Sequence, residues 1–243
     1  GSAQRALPAW LGMAQPIVIV PLAVAMVSGA LRPAWLIIGL HLAALFLTAL
    51  LAHRLLAADR PPVSRLTEFY LWISVGGALG GLFNALLAPA IFPAVVEYPL
   101  ALVLGSLIRA RSGSKPAPGD LAVPAALAGL LAAARWLAAS RPMPANWLGV
   151  AVLGLLASAA LALWFRPVAF SLIIALLFLA EDLGRPWQRV LHRQRSFYGA
   201  YRVLAYDEHG PHHLFVHGST IHGAERLHAP SCDAQRLLYF NPD

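Results

Sequence analysis

The sequence predicts a mainly α protein: a polytopic transmembrane helix bundle of six or seven helices, followed by a small β-hairpin or three-stranded module. Three observations carry this. Of 243 residues, 59% are hydrophobic and 12% charged, with a mean hydropathy of +0.66, far from the soluble globular average. Apolar runs approaching the roughly 20 residues a helix needs to cross a bilayer recur along residues 1–180. At Glu181 the composition turns, and residues 181–243 hold seven of the eleven acids and seven of the nine histidines. A soluble enzyme of the whole length is excluded, and so is a disordered chain, because apolar residues outnumber charged ones several-fold. One cysteine, Cys232, can make neither an internal disulfide nor a thiolate cluster.

The first apolar run, 15–31, and the second, 34–52, are parted by Arg32-Pro33 and form a helical hairpin. After a basic loop at 53–65, a third span starts at Thr67 or Glu68 and runs to Pro89, its Phe69 and Trp72 suited to an interfacial anchor. Within it, Gly76, Gly77, Gly80 and Gly81 make two overlapping Gly-xxx-Gly pairs, which let another backbone approach closely. They are read as packing positions or as the wall of a substrate passage, with Asn84 making an interhelical hydrogen bond. Residues 92–108, crowded by Pro93, Glu97 and Pro99, are either a short span or a re-entrant piece. Glu97 either starts a helix, its acid favouring the amide end, or forms one wall of a cavity.

A loop at 109–120 leads to spans at 121–139 and 147–165, and Arg166-Pro167 breaks the run before a last stretch at 168–180. Arg135 lies inside an apolar run. An ionisable group at membrane depth is a functional candidate by default, and with Glu97 it outlines a possible cation path. Its place near the span end, six residues before Arg141, favours snorkelling to the interface. His41 has no acid near it in sequence and is read as a helix-to-helix hydrogen bond.

The net charge of +7 and pI near 10.3 come mostly from arginines beside apolar runs, a placement that sets topology rather than binding nucleic acid. Six spans put the basic loops and the tail together on the cytoplasmic side of a multi-pass protein. Its partners are then the lipid bilayer and, in one reading, a second copy of the chain.

Residues 181–195 read as a basic juxtamembrane linker and 196–243 as the β module. In that module, 196–206 and 212–217 form a hairpin about the turn cluster 207–211, with a third strand at 236–240. Three strands with little core are unlikely to stand alone, so further sequence is expected after them, and neither end has the character of a natural terminus. The histidines at 209, 212, 213, 217, 222 and 228 are of a metal-ligand type. On a continuous strand, however, His217 and His222 fall on opposite faces unless the turn at Gly218 brings them together. No metal is assigned. No Gly-x-Gly-x-x-Gly loop, Walker loop or nucleophile elbow is present, so no nucleotide-cofactor site is encoded here.

Four stretches together carry a resemblance: 66–85 (LTEFYLWISVGGALGGLFNA), 97–102 (EYPLAL), 195–203 (RSFYGAYRV) and 217–225 (HGSTIHGAE). In this order they resemble the membrane part and tail of bacterial fused major-facilitator/spermidine-synthase-like proteins, over most of the chain from Trp35 onward. The resemblance implies that the hairpin is similar to the small N-terminal β domain of spermidine synthases, which closes over a diamine pocket and precedes an S-adenosyl-binding α/β domain. By that resemblance, His217, His222, Glu225 and Tyr239 are the candidate substrate contacts. It also implies an inner-membrane location, further helices before the first span, and a catalytic domain after Tyr239 that binds the S-adenosyl-type aminopropyl donor. The chain departs from the family in having Glu225 where glutamine is usual, and Tyr239-Phe240-Asn241-Pro242 where Tyr-Tyr-His-Pro is usual. No catalytic residue lies in this chain on that reading. The function it implies is the membrane portion of an aminopropyl transferase that cannot turn over alone. The other readings are a transporter-like module for a polyamine or small cation, and a plain membrane anchor.

Overall fold

The computed structural model describes residues 9–109, 117–140, 145–184, 189–196, 198–206, 212–218 and 220–227. It is mainly helical, with a four-stranded antiparallel sheet in the C-terminal region. The chain forms two compact units: residues 1–71 with 98–185, and residues 72–97 with 186–243.

Helices α1 (Ala9–Ser28) and α2 (Ala34–Ala58) form the expected hairpin. The second helix runs past the expected end at residue 52 and takes in His53 and Arg54. Leucine, arginine and alanine all favour helix there, and the stop comes at Asp59, two residues before Pro61-Pro62. Helix α3 (Leu66–Leu82) passes through a π-helical turn, Phe83–Leu87, into α4 (Ala88–Ile91). Then follow α5 (Glu97–Leu107), α6 (Gly119–Ser140), α7 (Ala145–Ala162), α8 (Pro167–Leu179) and α9 (Glu181–Gly184). Pro167 opens α8, where its missing N–H is one of the donors a helix start leaves unpaired anyway.

Among the described residues, four helical stretches are long and apolar enough to cross a membrane: Trp10–Ser28, Ala34–Ala58, Val63–Ile91 and Gly119–Ser140. Glu97–Leu107, Trp147–Ala162 and Pro167–Leu179 are apolar but shorter. At 1.5 Å rise per residue α5 is only about 16 Å long, roughly half a hydrocarbon core. The expected six or seven spans thus meet seven apolar helical stretches, four of them of spanning length.

The core of the first unit is built around α8, whose sequence PVAFSLIIALLFL is apolar almost all round, as suits a largely buried helix, with Leu172 and Leu179 on its exposed face. Its Phe170, Ile173, Ile174 and Leu177 are fully buried with Ile19 and Leu22 of α1 and Leu156 of α7. A smaller cluster joins Leu11 to Leu47 and Leu51. The outer face of α2 is the reverse: Trp35 is 74% exposed and Leu45 66%.

In the second unit the strands β1 (Arg189–Ser196), β2 (Gly199–Tyr206), β3 (His212–His217) and β4 (Thr220–Arg226) pair in sequence order, each antiparallel to the last. Residues 189–195, expected in the linker, instead belong to β1, and 181–184 to α9. The run RVLHRQRS lacks the apolar alternation of a half-buried strand, but an edge strand is commonly blunted with charge. The expected hairpin is present as β2–β3. The third strand expected at 236–240 lies outside the described residues, and the partner of β3 is Thr220–Arg226.

Candidate functional site

Register fixes the two faces of the sheet. Leu204, Val216 and Ala224 share one face and are buried, 3%, 5% and 8% exposed. Tyr201, Val203, His213, Phe215, His217 and Glu225 occupy the other, more open face. Two bulges interrupt the ladder, at Leu191 in β1 and at His222 in β4. Phe215 pairs with Gly223 and Val216 with Ile221, which leaves His222 as the extra residue. The turn at Gly218 pairs His217 with Thr220 and folds the second strand back beside the first, which is the alternative the sequence left open for these two histidines. The His217 and His222 rings lie 5.6 Å apart at 40°.

They end a row of rings. Phe215 stacks on Tyr201 at 5.8 Å and 3°, and Tyr201 stacks on His217 at 4.6 Å and 21°. His217 Nε2 donates to the Tyr198 carbonyl at 3.2 Å. Gly199 makes room for this contact: its φ of +143° is one that side-chain-bearing residues rarely adopt, and a Cβ there would collide with the His217 ring. The turn after β3 is held by Gly218, at φ +60°, which donates from its N–H to the Ala200 carbonyl at 2.9 Å. Arg202 Nη2 donates to the Gly218 carbonyl at 3.0 Å. Glu225 is exposed, and no ion pair engages it among the described residues. By register Arg202 pairs with Val216 and Glu225 with His213, which puts the two on opposite faces of the sheet. Tyr239, His209, His228 and Cys232 lie outside the described residues. Among the described residues, no group of three or more histidines, cysteines or carboxylates is placed to hold a metal ion.

Glu97, also in the second unit, is the first residue of α5, the helix start that was one of its two readings. Arg195 grips it through Nη2 to Oε1 at 2.6 Å and Nη1 to Oε2 at 2.9 Å, and also donates to the Ala94 carbonyl at 3.0 Å. Both side chains are close to nine-tenths buried. The Arg195 hydrogen bonds hold the Glu97 carboxyl below the usual carboxylate range, and the same bonds push the Arg195 guanidinium up.

The four glycines of α3 face open space, with no atom within 4 Å of where a Cβ would stand. Asn84 makes no interhelical bond among the described residues; its Nδ2 donates to the Gly80 carbonyl at 2.9 Å in its own helix, a local back-bond open to short polar side chains.

In the helical unit, Arg135 forms a bidentate pair with Asp182, from Nε at 3.0 Å and Nη2 at 2.8 Å, and donates to the Leu179 carbonyl. His41 Nδ1 lies 2.6 Å from the Tyr98 hydroxyl, the helix-to-helix bond expected of it. Sequence reading missed two polar clusters because their partners are far apart in the chain. Gln15 Nε2 donates to Thr48 Oγ1 at 3.0 Å and to the Gly105 carbonyl at 3.2 Å. Arg109, 6% exposed, stacks over Phe170 and donates through Nη1 to the carbonyls of Trp164 at 2.7 Å and Gly12 at 3.3 Å. Comparison with family models, curated proteins and solved structures finds no match, so any family reading rests on the residues themselves.

Proposed function

We propose that this chain is the membrane-embedded portion and β module of a spermidine-synthase-like aminopropyl transferase of the bacterial inner membrane, unable to catalyse transfer by itself. The observation that supports the reading best is the β3–β4 hairpin. It presents the HGSTIHGAE stretch as strand, turn and strand, with an exposed carboxylate at Glu225 on the same open face as His217. A carboxylate free of ion pairs among the described residues attracts a cationic amine more strongly than the family's amide would. Transfer also needs a sulfonium donor held in line with a neutral amine. The sequence has no glycine-rich strand-to-helix loop to cradle such a donor, and the proposal places one within about 50 residues after Asp243. The four stretches of spanning length then carry the module in the membrane, with basic residues and tail on the cytoplasmic side.

The test is amine-dependent release of methylthioadenosine from decarboxylated S-adenosylmethionine, using protein that carries the continuation of the reading frame. Release that depends on a diamine, with a KM raised about tenfold or more when Glu225→Ala removes the charge, supports the proposal. Folded, donor-binding protein that releases nothing with any amine of a diamine and polyamine panel overturns it.

A further inference from the structure

The ring row on the open sheet face ends in two imidazoles, and one of the two is held in a fixed orientation. Three contacts set the His217 ring: the stack on Tyr201, the space left by Gly199, and the hydrogen bond to the Tyr198 carbonyl. A carbonyl can only accept, so Nε2 carries the proton and Nδ1 holds the lone pair. This is the usual support of a metal-bound histidine: the ring nitrogen away from the metal donates to a backbone carbonyl, which fixes both tautomer and orientation. His222 is exposed and sits on the bulge, where the ladder leaves the residue unpaired. Two rings bound to one ion sit about 5–6 Å apart by centroid, given metal–nitrogen bonds of about 2 Å, and these rings are 5.6 Å apart.

We propose that His217 and His222 form a two-imidazole chelate for a borderline divalent transition metal of the copper, nickel or zinc class. Neutral imidazole suits those ions, whereas magnesium and calcium prefer oxygen ligands. With two protein ligands the remaining coordination positions belong to water or to a small donor molecule, so the site is open and exchangeable rather than a structural closed one. The site does not rest on the aminopropyl reading: it requires only these two rings and the turn that joins them.

The full chain in detergent is titrated with Cu²⁺ alone, with Mg²⁺ as the contrasting ion, and affinity is read by calorimetry and coordination by electron paramagnetic resonance. One equivalent of Cu²⁺ should bind with coupling to two imidazole nitrogens, and Mg²⁺ should not compete. His217→Gln and His222→Gln should each weaken binding about tenfold or more, and His192→Gln on β1 should not. His222→Gln alters an exposed bulge residue, so it decides the matter even if His217→Gln loses the sheet by infrared. Parental affinity and nitrogen coupling in His222→Gln, an equal loss in His192→Gln, or no Cu²⁺ binding by the parent overturns the proposal.

Discussion

A carboxylate and a guanidinium 98 positions apart give the second unit its clearest charge pair. Because Arg195 depresses the Glu97 carboxyl, the folded state binds its proton less readily than the unfolded chain does. Stability from this pair is therefore complete above the ordinary carboxylate value of 4.5 and is lost as pH falls below it, through the folded value. Glu97→Gln should remove that slope. It should also lower the sheet's stability at neutral pH by about 2 kcal/mol, since it takes away charge-assisted hydrogen bonds and leaves Arg195 largely buried without its counter-charge. Amide-I infrared melting of parent and variant across acid pH checks both, and a slope that survives in Glu97→Gln would mean other carboxylates govern acid unfolding. Arg135–Asp182 is a contrasting case. Its side chains are 41% and 56% exposed, so solvent screens the pair and Asp182→Asn should change stability little.

Among the elements, the crossing of α2 and α5 depends on a glycine. A Cβ at Gly105 would stand 2.7 Å from Thr48 Cγ2, too close for carbon atoms in contact, so the two helices approach only because position 105 has no side chain. Gly105→Ala should destabilise the helical unit by about 1–3 kcal/mol through overpacking. Thr48→Ser should rescue it, because serine drops the Cγ2 methyl and keeps the hydroxyl that accepts from Gln15. A double-mutant cycle on detergent-solubilised protein, followed by helical circular dichroism, reads this as a coupling energy, and additive effects would refute the close-approach account. Nothing in the sequence announced Gly105, which lacks a glycine partner four residues away. Gly76, Gly77, Gly80 and Gly81 have that spacing and yet face open space. The longer helices were legible because they are apolar runs ended by proline or charge, whereas the short α5, crowded by Pro93 and Pro99, left its segment open between two readings. Legible too was the β2–β3 hairpin, with its aromatic and β-branched strands. The β1 strand was not, since RVLHRQRS carries mostly polar side chains on an edge. The His217–His222 pairing was left open by the sequence, because residues five apart meet only where the Gly218 turn folds one strand back on the other.

For the whole molecule, the apolar exterior decides the solvent. Trp35, Ile38, Leu42, Leu45 and Phe46 on α2 are all more than half exposed, a contiguous apolar surface that a protein in water would have to cover. The chain should stay with membranes through alkaline carbonate washing and leave them only with detergent. Recovery as a dispersed monomer in detergent-free buffer would refute the membrane reading. In intact spheroplasts, the single thiol of Cys232 should resist a membrane-impermeant maleimide until the cells are permeabilised. Labelling before permeabilisation would place the tail outside.

The second unit draws residues 72–97 from the middle of the chain and residues 186–243 from its end. During synthesis the ribosome must therefore finish the intervening helices before Arg195 exists to meet Glu97. Until then the early half of this unit is a nascent hydrophobic arm with an acid near its tip and no sheet to close on. Such long-separation closure makes assembly slow. A stalled or truncated translation product would accordingly expose an unfinished surface to the quality-control proteases of the cell.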